Sequence, residues 1–136
     1  MGNTIIYNLK SYWPTLLCVA VILYATLADD PTAGADLPLI PYFDKVVHTI
    51  MFGGLAGAVA FDWQRAHRQQ HLSRGRMAAI CAVCLLAGAT DELAQATLTL
   101  VRSAEWADLG ADAIGIAVAF FAAPPAIRRV LHLKNG

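Results

Sequence analysis

The chain has 136 residues, ten of them basic and ten acidic, so its formal net charge is zero and no charge imbalance points to a nucleic-acid partner. Hydrophobic residues make up 57% and charged residues 15%, against about 25% charged in an average soluble domain. Together with a mean hydropathy of +0.52, this argues for lipid as the solvent, and the length allows one domain, 1–136.

After a leader with Lys10, the first apolar run covers about residues 12–28. At about 17 residues it is at the lower limit for a span. Tyr12, Trp13 and Tyr24 suit the interfacial belts, and Pro14 suits a first helical turn. A secretory signal cleaved after Ala28 competes with this reading, but the later spans need a packing partner. Residues 29–43, rich in proline and aspartate, read as a loop.

The second span is expected at about 44–61, with Asp44 as its N-cap and Lys45 and His48 in its first turns. Gly53 and Gly57 form a G-x-x-x-G that permits close helix approach. Residues 62–76 then read as a basic loop with Arg65, Arg68, Arg74 and Arg76, and with His67 and His71 four apart. The third span, about 77–100, carries Cys81 and Cys84 as small apolar residues, then Asp91, Glu92 and Gln95. Asp91 falls about 21 Å along this helix, still inside a hydrocarbon core of about 30 Å. The fourth span, about 106–123, has Asp108 in its first turn and Asp112 one turn deeper. Ala111, Gly115 and Ala119 give it a small-residue stripe, and Pro124-Pro125 is expected to close it.

Four spans place Lys10, the four loop arginines, Arg128, Arg129 and Lys134 on one side, which the positive-inside rule makes cytoplasmic, with both termini. The fold class expected is therefore an all-α bundle of four transmembrane helices in a bacterial inner membrane. The unusual polar groups then gather at the outward ends of spans two, three and four. A carboxylate in a transmembrane helix costs roughly 2.5–3.5 kcal/mol on insertion scales, so these groups must pair, bind something or line water.

Lys45, Arg102 and two outward helix N-termini offer a positive site for phosphate or carboxylate, which Asp44 and Gln95 would help to line. Carboxylates nevertheless outnumber cations there, so the excess must be offset by protonation, by a cationic His48, or by a divalent ion such as Mg²⁺ on Asp91, Glu92, Asp108 and Asp112. In the preferred scheme Asp91, Glu92 and Asp108 either bind that ion or act as acid and base, and His48 shuttles a proton. The competing reading is an ion-pair network, such as Arg102 with Asp91 or Asp108, that only fixes helix packing. A proton or cation pathway is a third, but residues 77–89 offer it only Cys81 and Cys84.

The ordered motifs resemble the VanZ-like family of small bacterial membrane proteins. Asp44-Lys45-x-x-His48, Asp91-Glu92-x-x-Gln95, Arg102 and Asp108 carry the resemblance, with Asp112 where members commonly have Asn and Gly115 where they have Gly. The family is named after a protein linked to low-level resistance to the glycopeptide teicoplanin. The resemblance implies a four-helix membrane domain and a cell-envelope role bearing on glycopeptide susceptibility. The expected partner is thus a membrane lipid or lipid-linked envelope precursor with a phosphorylated headgroup. A non-enzymatic binding or accessory protein is the alternative.

Overall fold

The computed structural model describes residues 10–28, 41–100 and 103–133. It is all-helical: α1 (Trp13–Leu27), α2 (Phe43–Ala66), α3 (Arg74–Leu98) and α4 (Trp106–Val130). The last three are long and apolar enough to cross a membrane, whereas α1 is a shorter apolar helix. Its 15 residues rise only about 22 Å. Large apolar side chains such as Ile50, Leu86, Leu93 and Phe121 point outward, as lipid-facing positions should.

The buried positions repeat at three- and four-residue intervals. On α2 they are His48, Phe52, Leu55, Ala56 and Ala60, and on α4 Asp108, Ala111, Asp112, Gly115, Ile116 and Ala119. Helices α2 and α4 pack side by side and run parallel, because Lys45, His48 and Gly53 meet Asp108, Asp112 and Gly115 in the same order. Thr49 reinforces the seam by donating to the Ala111 carbonyl at 3.1 Å.

Two glycines let these backbones touch. A Cβ on Gly53 would sit 2.8 Å from the Gly115 carbonyl oxygen, and one on Gly115 would collide with the Thr49 carbonyl. Gly57 meets nothing within 4 Å, so the expected G-x-x-x-G contact is made by its first glycine alone. Gly115→Ala is therefore expected to cost about 1–3 kcal/mol of stability in detergent unfolding. Gly57→Ala should be neutral or gain up to about 1 kcal/mol. Equal responses would show that the close approach does not set the α2–α4 geometry.

Several boundaries differ from the sequence reading. Helix α2 begins after Tyr42, which stands at the N-cap with φ 62°, and Asp44 lies inside the first turn. The same helix runs on through Asp62, Trp63 and Gln64 to Ala66 instead of ending near 61. Partners elsewhere hold that extension. Asp62 accepts from the backbone N–H of Thr15 at 3.0 Å, from its hydroxyl at 2.7 Å and from Arg65 at 3.2 Å. Gln64 braces the turn below it, donating to the carbonyls of His67 and Gln70 and accepting from Leu72 N. His67 stacks on Trp63, so the expected basic loop shrinks to the turn between Ala66 and Arg74. Ser73 caps α3 by accepting from Arg76 N at 3.2 Å, which moves its start back from 77 to Arg74.

Helix α4 continues through Pro124-Pro125 to Val130. Two interior prolines forfeit two helical hydrogen bonds. Ile127 lies in the core cluster and Leu131 packs against it, which holds the final turn in place.

Candidate functional site

Helices α2 and α4 start at the same end of the bundle, and α3 finishes there. Counting along each helix, His48 and Asp112 lie about 7–9 Å in from their N-termini, Asp108 about 3 Å in, and Glu92 about 9 Å from the C-terminus of α3. The four groups therefore occupy one level near one end of the bundle, and all are buried.

The centre is the imidazole of His48. Its Nδ1 lies 2.9 Å from Oδ1 of Asp112, which is completely buried. With Nδ1 engaged there, Nε2 is turned toward Asp108, 4.0 Å from its Oδ2. One ring nitrogen of His48 and one carboxylate oxygen each from Glu92 and Asp108 lie within 4.8 Å of one another. They come from three different helices. Each is also held from behind: His48 by Asp112, Glu92 by the backbone N–H of Glu105 at 2.9 Å, and Asp108 by an ion pair with Lys45. Phe52 lies parallel to the imidazole at 6.3 Å.

Gly88 makes room for this arrangement. A Cβ there would approach Asp112 Oδ2 to 2.8 Å, and that oxygen has no hydrogen-bond partner among the described residues. A neighbouring trio, Asp44, Glu105 and Asp108, already surrounds a cation. The Lys45 ammonium pairs with Asp44 at 2.6 Å, with Glu105 at 2.7 Å and with Asp108. The sequence offers Lys45 to an anionic headgroup, but here three carboxylates occupy it. Glu105 contributes both its carboxylate, to Lys45, and its N–H, to Glu92.

Asp91 and Glu92 part company. Successive helical residues are about 100° apart, so Glu92 faces α2 and α4 while Asp91 faces α1. Asp91 lies 2.8 Å from the Thr26 hydroxyl and accepts from Gln95 Nε2 at 3.1 Å. The Thr26 hydroxyl is also 2.8 Å from the Ile22 carbonyl. Gln95 stays within its own helix, 3.5 Å from Glu92, and its side chain makes no bond to another helix among the described residues. The expected metal set of Asp91, Glu92, Asp108 and Asp112 is thus redistributed. Glu92 and Asp108 converge with His48, Asp112 stands behind the imidazole, and Asp91 ties α3 to α1. Arg102 lies outside the described residues.

Sequence reasoning missed Thr26, Glu105 and the Thr15–Asp62 contact. Only Asp62 left a signal, as an acid beside a run of basic residues.

Chemically, two carboxylate oxygens and one imidazole nitrogen on one side of a small space suit a hard divalent cation such as Mg²⁺ or Mn²⁺. A carboxylate behind the histidine is the usual way of fixing its tautomer and its basicity toward a metal. The fold and site define an all-helical protein with three helices long and apolar enough to cross a membrane and a buried polar centre near one end of the bundle. No protein-family model, curated protein or solved structure matches this chain.

Proposed function

We propose that this chain is a cell-envelope protein of a bacterial inner membrane, VanZ-like in motif order, whose outward-facing centre binds the phosphorylated headgroup of an envelope lipid. His48, Glu92 and Asp108 hold a divalent cation in this reading, and the cation presents open positions to phosphate oxygens. Both termini are then cytoplasmic, in keeping with the basic residues at the opposite end.

The observation that carries the reading is the His48–Glu92–Asp108 convergence with Asp112 fixing the imidazole. Burying two carboxylates beside a histidine lone pair is costly unless positive charge joins them. Lys45 is already shared with Asp44 and Glu105, so it does not meet that need alone. A bound cation would also polarise a phosphoryl oxygen, which opens the way to turnover as well as binding.

The test is binding of Mn²⁺ and of a polyprenyl phosphate to the purified protein. One Mn²⁺ per chain is expected, with lipid binding that disappears on chelation. A protein that takes up no Mn²⁺, yet unfolds more easily as Glu92→Gln, would return the cluster to helix packing. That second reading already describes Asp91 and Lys45, which are satisfied by neighbouring side chains.

A further inference from the structure

At the end of the bundle away from His48, a cleft of about 280 Å³ opens between the turn after α2 and the last turns of α4. Arg68, His71 and Arg128 line it together with Gln64, Leu72 and Pro124, and no acidic side chain does. Its shape is held by Gln64, whose amide bonds three backbone groups of the turn.

The charge at this end is unbalanced. Among the described residues Asp62 is its one acid, and Thr15 and Arg65 already engage it. Arg76 is stacked on Trp63 and donates to the His71 carbonyl. Arg68 and Arg128 make no ion pair or side-chain hydrogen bond with the described residues. Near the ends of the two helices the carbonyls of Trp63 and Gln64 accept from His67 N, and those of Ile127, Arg128 and Arg129 from the backbone N–H groups of Leu131, Leu133 and His132. The two guanidiniums are therefore free to face an outside anion.

We propose that this cleft binds the phosphate of an anionic lipid headgroup. Three helices are long and apolar enough to cross a bilayer, which sets their ends at headgroup level. Phosphodiesters are the anions concentrated there, and the planar fork of arginine matches two phosphate oxygens at once. Two such forks on different elements, lining one concavity, distinguish the cleft from a generally basic surface. The site is separate from the His48 centre and does not depend on its role.

Native mass spectrometry of the full chain, titrated with phosphatidylglycerol or phosphatidylcholine, tests the assignment. Phosphatidylglycerol should bind in preference, and Arg68→Gln/Arg128→Gln should weaken it at least about tenfold. Arg74→Gln/Arg129→Gln removes equal charge outside the cleft and should change binding less than about threefold. If the first pair fails to fold, Arg68→Lys/Arg128→Lys keeps the charge without the fork and should still lose several-fold. Equal losses in the cleft and control pairs, no loss in either, or no preference over phosphatidylcholine would overturn the proposal. Displacement of the lipid by excess inorganic phosphate would reassign the cleft to free phosphate and overturn the lipid headgroup.

Discussion

Asp112→Asn is expected to lower divalent-cation affinity by about 10- to 100-fold while leaving the bundle folded. Asp112 touches the site only through His48, whose Nδ1 it holds at 2.9 Å. A carboxylate can only accept, so it keeps the ring proton on Nδ1 and leaves Nε2 with a lone pair. An amide in its place can donate to Nδ1 and move the proton to Nε2, where it would face Asp108 and Glu92 instead of a cation. The change in shape is small, so helix packing should survive. Nitrogen chemical shifts of the imidazole report the tautomer directly, and Mn²⁺ titration reports the affinity. A tautomer that stays put, with unchanged affinity, would show that Asp112 does not position this histidine. His48→Ala removes the nitrogen itself and should lose at least as much.

Removing the other fully buried carboxylate should act on the fold and not on the cation. Asp62→Ala is expected to destabilise the protein by about 2–3 kcal/mol, because three hydrogen bonds end on its buried carboxylate while its partner Arg65 is partly exposed. Asp62 is 0% exposed and does two things at once. It accepts from the N–H and hydroxyl of Thr15 in the first turn of α1, where backbone donors have no helical partner, and it neutralises Arg65. Without it the helix start loses its acceptor, and the guanidinium keeps the Ser11 carbonyl but no anion. Denaturant unfolding in detergent should show the loss, and Asp62→Ala/Arg65→Ala should recover part of it because the stranded cation is gone too. A single variant within about 0.5 kcal/mol of wild type would mean that water replaces the carboxylate freely.

Much of this architecture was legible in the sequence, because apolar length alone reports a helix that crosses lipid. Three long runs stand out against their polar flanks, and the polar groups near His48 were placed at one end by counting residues along them. What composition could not supply were partners far away in the chain. Asp62 and Gln64 look like loop residues until Thr15, 47 positions earlier, and Leu72 are brought beside them. Asp91 and Glu92 look like one acidic pair, and only the angle between successive helical side chains separates their roles. Pro124-Pro125 looks like a stop, but the apolar anchoring of Ile127 outweighs it. Tyr42 takes a left-handed conformation that no residue-type preference predicts for tyrosine.

The clasps on α1 impose an order of assembly. Its start is fastened to Asp62 on α2, and its end to Asp91 on α3, 65 residues downstream of Thr26. A ribosome adding about 5–20 residues per second needs several seconds to make that interval. Throughout it the first helix has its N-terminal fastening at most, and the Thr26–Asp91 contact at its far end is still to form. Closure of the second clasp marks the moment at which three helices have been delivered in the correct orientation. A chain that sets the third one upside down leaves Thr26 and Asp91 at opposite ends of the bundle.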